Sequence, residues 1–541
     1  MTETSNDMKT LFVPVRDGIA LETHLFLPDG DGPFPAAYSR TVYSLDFLYD
    51  RARGLRDIGI AAVVQYARGH GKSGGELEQS VPIAEDGYDT IDWIVSQPWS
   101  NGRVGTFGAS ALAKNQINLA AMTHSAHKAM SLGVPSWGIQ EGLGGAWMYA
   151  QVMMWIARTQ NGPYNLEMEK IDWQAHLDRL PVTSALDDVG TAQSYYQEII
   201  TSDFSNWSPR TGIAAIPDMN IPAYLITGWW DLCQYGSVAY YQHLRRDGRE
   251  SQRNNTHLII GPWNHLYELS EDYDFGPAAD YSLDELENTF FSKYLKGCDT
   301  DDFPPVHVFI LGDNQWRRFS EWPVPEAKIE KWYLHDGGIL TADTPASPDA
   351  CSAFLYNPAN PIPTSGGANN APAIRHLPAM GAGPRNQYHL CQREDVVVFR
   401  TAPANRPQTI AGPVEMVLWA ASSAVDTDFT AKLMLVNETG DDWMLLSDGI
   451  VRARYRNGRR QAEFLSPGNA YEFKIDLWHV AVTIQPGCSL ALAISSSNFP
   501  RFCRNLNTGG DNEQDDYFET ASQTILHNSR FASHLVVPVL D

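Results

Sequence analysis

Ser110 stands at the end of GRVGTFGAS in the stretch GRVGTFGASALAKNQ (102–116), between a run that reads as a strand and one that reads as a helix. A serine at a sharp strand-to-helix turn carries its hydroxyl above the sheet, and a small residue two positions earlier, here Gly108, lets strand and helix approach closely. The pattern is a nucleophile elbow in outline. It breaks the common G-x-S-x-G string at Leu112, and taken alone it reads equally well as a serine N-cap. Two later segments shift the balance. IPAYLITGWWD (221–231) is a buried-type strand ending in Asp231, and THLIIGPWNH (256–265) is another ending at His265. A serine hydroxyl is a poor nucleophile until an imidazole takes its proton, and a carboxylate is needed to fix the imidazole tautomer and stabilise its charged form. Ser110, Asp231 and His265 follow the chain order serine, acid, histidine that this chemistry uses on parallel sheets. Each alone has an ordinary explanation, Asp231 as a helix cap and His265 as a loop histidine; jointly, three strand ends in the right order favour catalysis.

The elements that must hold these residues are legible around them. Over the first 135 residues short apolar runs alternate with amphipathic stretches, which predicts an α/β unit with a largely parallel sheet. FPAAYSR (34–40), IAAVVQYA (60–67) and GRVGTFG (102–108) read as strands; 48–59, 86–97 and 111–122 read as the helices between them. From 136 to 215 the texture is helical and carries Trp147, Met153, Met154 and Trp155, which predicts an inserted cap. The α/β pattern resumes over 216–303, and from 304 to 541 β-rich runs such as VHVFIL, VEMVLWAAS and FTAKLMLV alternate with Pro, Gly and Asn clusters. That predicts an all-β domain of jelly-roll type, with 344–387 as a long irregular excursion over it.

Composition narrows the chemistry. The 541 residues carry 40 Lys plus Arg against 64 Asp plus Glu, a net charge of −24, which disfavours nucleic acid or an anionic membrane as partner. No run is long and apolar enough to span a membrane, and MTETSNDMKT lacks the basic and apolar regions of an export signal. Six scattered cysteines without CxxC spacing predict reduced thiols and a cytoplasmic setting. Among them Cys233 reads as a buried small hydrophobe rather than a nucleophile. GHGKS (69–73) has Tyr66 where a phosphate-binding loop requires Gly, and none of the 15 histidines is followed by Glu, so neither a nucleotide nor a metal site is expected. Arg68 and His70 in the same turn read as structural.

RTVY (40–43), ARGHGKSGG (67–75), DGYDTIDWI (86–94), GWWD (228–231), GPWNH (261–265), WRRFSEWP (316–323) and SSNFPRFCRNLNTGG (496–510) resemble the recurrent blocks of the X-Pro dipeptidyl-peptidase and cocaine-esterase family of serine hydrolases, which includes α-amino-acid ester hydrolases. The resemblance spans nearly the whole chain. It implies an α/β-hydrolase core (1–135 and 216–303), a helical cap (136–215) and a C-terminal β jelly roll (304–541). It makes Leu112 normal, since the family's nucleophile block is similar to S-Y-L-G, and leaves Ala111 as the departure where a tyrosine is usual. The backbone N–H of Ala111 and, by block alignment, the hydroxyl of Tyr43 are then the implied oxyanion donors.

The expected activity is cleavage of a carboxylic ester or amide through an acyl-enzyme. Ser110 is the nucleophile, His265 the acid and base, and Asp231 its orienting group. Trp155, Trp147 and Trp230 are the expected substrate-pocket residues. No cofactor or metal is expected, the partner is a small ester or amide, and self-association into a homo-oligomer is compatible with the resemblance. The alternatives are a peptidase releasing dipeptides that end in proline and a catalytically silent binding protein. The net charge and the aromatic cap together predict a preference for neutral or cationic acyl groups over anionic ones.

Overall fold

The computed structural model describes residues 8–76, 84–136, 143–160, 170–189, 193–201, 214–300, 303–369, 377, 380–458 and 461–540. Among them, ten strands form one sheet: β1 (Lys9–Pro14), β2 (Ala20–Phe26), β3 (Phe34–Thr41), β4 (Ala61–Tyr66), β5 (Ser100–Ala109), β6 (His127–Gly133), β7 (Ala223–Trp230), β8 (Thr256–Asn264), β9 (Val306–Ile310) and β10 (Gln315–Phe319). Their spatial order is β1-β2-β4-β3-β5-β6-β7-β8-β9-β10. The pairs from β4 to β9 are parallel, while β1, β2 and β10 join antiparallel. Every residue of β7 and of β8 is buried, as a parallel strand covered on both faces requires.

Helices α1 (Tyr49–Asp57), α2 (Ala84–Ser96) and α3 (Ala111–Ala120) connect the early strands. The chain leaves the sheet after β6 and returns on its neighbour β7, with Met130 opposite Ala223. The intervening segment carries α4 (Tyr149–Gln160), α5 (Trp173–Asp178) and α6 (Gln193–Ile200). These helices share an apolar core that includes Trp147, Tyr149, Met153, Trp173, Tyr196 and, from far down the chain, Phe499. The cap core is therefore completed by the β-rich half, which also packs directly on the sheet. No helix among the described residues is long and apolar enough to cross a membrane.

The remaining strands, from Lys328–His335 to His534–Leu540, form a second hydrogen-bonded set of eleven among the described residues. Its longest strand, Gln408–Ser422, pairs along most of its length with Tyr471–Ile484. The set curls over itself, so that Trp443–Arg452 faces Tyr471–Ile484 without laddering to it and Ser447 Oγ donates to Leu477 O at 2.6 Å. Within the stretch expected to be irregular, Cys351–Tyr356 is a strand paired with Ala521–Leu526.

One boundary differs from the sequence expectation. VHVFIL, assigned to the β domain beginning at 304, supplies β9, which extends the parallel sheet with Val306 opposite Leu258. Its apolar residues are buried on both faces, and Phe309 O accepts the Trp229 Nε1–H at 2.8 Å. The partly exposed, arginine-bearing β10 then closes that edge, where charge discourages further pairing.

Candidate active site

Ser110 sits between β5 and α3 with φ 60° and ψ −119°, a region costing a non-glycine residue roughly 1–3 kcal/mol. The surroundings over-determine it. Its N–H donates to Gly133 O at 2.9 Å. A Cβ on Gly108, whose φ is 135°, would stand 2.7 Å from the Leu112 Cβ and 3.1 Å from Ser39 Oγ. Glycine there is what allows the strand to pass beneath the helix so closely.

Asp231 is the residue immediately after β7 and has no exposed surface. Its Oδ2 accepts from the Thr227 hydroxyl at 2.6 Å and its Oδ1 from the Cys233 N–H at 2.9 Å. The same Oδ1 lies 2.7 Å from His265 Nδ1. His265 immediately follows β8, where Asn264 Oδ1 accepts the N–H groups of Leu266 and Glu268 at 2.8 and 3.1 Å and so shapes the turn. An ionised carboxylate only accepts, so Nδ1 carries the proton and Nε2 is left with a lone pair. Nε2 lies 3.2 Å from Ser110 Oγ. The three side chains are thus hydrogen-bonded in series, carboxylate to imidazole to hydroxyl, and the hydroxyl donates.

Two further donors adjoin Ser110, one next to it in the chain and one from another element. Ala111 is the first residue of α3, and the first-turn N–H groups of a helix have no partner within it. Tyr43 lies on the turn after β3, its N–H held by Thr41 Oγ1 at 2.8 Å. Its phenol oxygen accepts the Trp155 Nε1–H at 3.0 Å. Burial raises the Tyr43 pKa from its ordinary value, and Trp155, Arg158 and Ser110 offset part of that rise. A phenol that keeps its proton, with an oxygen lone pair engaged by indole, has its O–H left to donate.

Of the expected pocket residues, the structure brings Trp155 to the site and places the other two elsewhere. Trp147 is 1% exposed, packs in the cap core and holds Cys503 N–H through its carbonyl at 2.9 Å. Trp230 is also 1% exposed; its Nε1–H donates to Leu445 O at 3.0 Å and its ring stacks on Phe275 at 5.6 Å, tying β7 to the β-rich half. Trp230 borders a separate cavity of about 490 Å³ with Asn264, Glu268, Asp272 and Gly381, whose lining includes none of Ser110, Tyr43 and Trp155. Both indoles are consumed by packing.

Sequence reasoning missed Thr227 and Cys233 as partners of Asp231. The threonine was not marked by strand alternation, since β7 breaks register between Gly228 and Trp230 and Asp231 follows in a turn closed by its own N–H on Gly228 O at 3.2 Å. Burial, and secondarily Asp231, push the Cys233 thiol well above its ordinary pKa, which keeps it protonated and poorly nucleophilic. Asp231, Cys233 and His265 offer metal-ligand atoms within 4.8 Å of one another. The carboxylate is already committed to three hydrogen bonds and the thiol keeps its proton, so this donor set suits a relay better than an ion. In the glycine-rich turn, Arg68 pairs with Asp86 at 2.6 Å and with Asp17 at 2.9 Å. Buried His70 beside it is pushed down to about 4 by desolvation.

A family model described as X-Pro dipeptidyl-peptidase (S15 family) matches residues 17–267, and one described as the X-Pro dipeptidyl-peptidase C-terminal non-catalytic domain matches residues 299–536. Over 98% of both chains the sequence is 30% identical to cocaine esterase from Rhodococcus sp. (strain MB1 Bresler). The chain belongs to the X-Pro dipeptidyl-peptidase and cocaine-esterase family of serine hydrolases. Among solved structures, an aminopeptidase from a marine sediment Thaumarchaeota archaeon superposes with a TM-score of 0.87 at 22% identity, covering 100% of this chain and 98% of that one. An α-amino acid ester hydrolase superposes with a TM-score of 0.86 at 24% identity over the same shares. At these identities the likeness is one of fold, an α/β core followed by a β-rich domain. As a family member the protein is a hydrolase, and hydrolysis of carboxylic esters is the activity that membership supports.

Proposed function

We propose that the protein hydrolyses small carboxylic esters or amides by a Ser110–His265–Asp231 relay through an acyl-enzyme. The observation that carries this is the unbroken series from Asp231 Oδ1 through His265 to Ser110 Oγ, at 2.7 and 3.2 Å. Ser110 Oγ attacks the substrate carbonyl carbon while His265 Nε2 takes the hydroxyl proton, and buried Asp231 stabilises the imidazolium that results. The carbonyl oxygen becomes an oxyanion, accepting from the Ala111 N–H and the Tyr43 O–H. As the tetrahedral intermediate collapses, His265 returns the proton to the leaving alkoxide or amine, and Ser110 is left acylated. Water then repeats the sequence, with His265 again as base and then acid, to release the carboxylic acid.

The test is labelling by a fluorophosphonate together with turnover of 4-nitrophenyl butyrate, on the wild type and Ser110→Ala. Labelling and turnover that both vanish in the variant support the reading, and wild-type kcat in Ser110→Ala overturns it. A glycyl-prolyl 4-nitroanilide assayed in parallel separates esterase from dipeptidyl-peptidase activity.

A further inference from the structure

The cap carries a cation beside this site that the relay does not use. Arg158 lies on α4 one helical turn beyond Trp155, so the two side chains leave the same face. Trp155 holds the Tyr43 hydroxyl, and the Arg158 guanidinium carbon stands 5.7 Å from the centroid of the Tyr43 ring. The side chain is half-buried. Among the described residues it makes neither a hydrogen bond nor an ion pair, and the ring is its recorded partner. That is unusual in this chain. Acidic groups outnumber basic ones 64 to 40, and other arginines withdrawn from solvent have a polar partner: Arg51 pairs with Glu287 at 2.8 Å, Arg68 with Asp86 at 2.6 Å and Arg452 with Asp428 at 3.0 Å, while Arg245 and Arg504 donate to carbonyls and Arg400 to Ser489 Oγ.

A guanidinium is planar and weakly hydrated and offers five donors in a fork that matches a carboxylate. Stacking on the Tyr43 ring restrains where that fork points, and Tyr43 is the residue whose hydroxyl faces the reacting carbonyl under the reading above. We propose that Arg158 is a specificity-determining residue that binds a carboxylate carried by the substrate close to its scissile bond. The inference rests on the Ser110 reading for the position of that bond. It also reverses the substrate preference expected from net charge. A charge of −24 spread over the molecule is screened over about 8 Å at physiological ionic strength, whereas a half-buried guanidinium acts at contact, where that screening is weakest.

The carboxylate has two positions open to it, the acyl chain or the leaving group, and matched esters distinguish them. In the acyl arm, 4-nitrophenyl hemiglutarate is compared with 4-nitrophenyl valerate. In the leaving-group arm, the butyrate ester of 3-(4-hydroxyphenyl)propionate is compared with 4-propylphenyl butyrate. Spontaneous hydrolysis is subtracted, and the readout is the kcat/KM ratio within each pair, so that any general effect transmitted through Tyr43 cancels. The wild type is expected to favour the carboxylate member of one pair by about tenfold or more, a preference residing in KM and shrinking with added salt. Arg158→Gln is expected to lower that ratio by about tenfold, and Arg158→Lys to retain part of it. A wild type that prefers the neutral member in both arms overturns the inference without recourse to a variant. So do ratios that Arg158→Gln leaves unchanged. Failure of the underlying reading looks different: neutral esters would then still turn over in Ser110→Ala. If the inference alone fails, turnover remains Ser110-dependent and the ratios do not move.

Discussion

The strand ends and the cap contribute to the same site in opposite ways. Ser110, Asp231 and His265 each lie directly after the C-terminal end of a parallel strand. Their partners there are close in sequence or sit on the neighbouring strand: Gly133 for Ser110, Thr227 and Cys233 for Asp231. Trp155 and Arg158 reach the site from α4, more than 100 residues beyond the Tyr43 they touch, and α4 is itself held by packing that includes Phe499 of the β-rich half. The proposed reaction chemistry thus rests on backbone rules of the sheet, and the proposed substrate choice on how three distant parts of the chain pack. The two should respond differently to substitution.

The largest effect belongs to the strand ends. Ser110→Ala is expected to lower kcat on a neutral aryl ester by about 10⁴-fold or more with an unchanged circular dichroism melt, since one hydroxyl is removed from a turn whose backbone is held by Gly133. A melt lowered in step with activity would assign the serine a structural role instead.

Tyr43 joins the two regions. Tyr43→Phe keeps the ring under Arg158 and removes the O–H, which should cost about 10²-fold in kcat with little change in KM, because the bond matters only once the oxygen is charged. A pure KM effect would move Tyr43 to ground-state binding and loosen its tie to the strand-end group.

From the cap, Trp155→Phe removes the indole donor and is expected to lower kcat by about three- to tenfold. A positioning role acts through the Tyr43 hydroxyl, so the double variant Trp155→Phe/Tyr43→Phe should be no slower than Tyr43→Phe alone. Additive losses would show that Trp155 works by packing, like its neighbour Trp147.

The smallest effect concerns stability. Desolvation lowers His70, His257 and His307 to about 4 and His127 to about 3 in the parallel-sheet half, and His479 to about 3 in the β-rich half. An unfolded chain binds these protons near pH 6.5, so below that pH the unfolded state holds more protons than the native one. Stability is then full above pH 6.5 and falls progressively toward pH 4. Urea midpoints should drop over that window, and hydrogen exchange at pH 5 should show the parallel-sheet half opening first. A flat midpoint from pH 7 to 4.5 would contradict the buried, uncharged state of these histidines.

Legibility followed the same division. The hydrogen-bonded series Ser110, His265 and Asp231 could be anticipated because each residue sits where a strand signal stops, and a period-2 or fully apolar run marks its own end. VHVFIL misled because a short apolar run is the same whether it fills a parallel sheet or a sandwich. Trp230 misled for a related reason: successive strand residues point to opposite faces, so standing next to Asp231 in sequence put its indole on Phe275 and Leu445 rather than on substrate. Trp147 and Trp155 are both aromatic and eight positions apart in a helical stretch, and composition holds nothing that says which one meets Tyr43.

Local sequence by itself determined the hydrolase core, the order of the strand ends that bear Ser110, Asp231 and His265, and the strained serine turn, because each follows from residue type and spacing over some ten residues. Tertiary structure decided which tryptophan bonds the Tyr43 hydroxyl, that VHVFIL extends the parallel sheet, and that one arginine of an acidic protein stands over Tyr43 without a carboxylate among the described residues. The physical reason is range. Backbone conformation and strand ends are governed by neighbours along the chain, whereas side-chain pairing depends on which surfaces are pressed together, and net charge, being a sum, does not record where any single charge ends up.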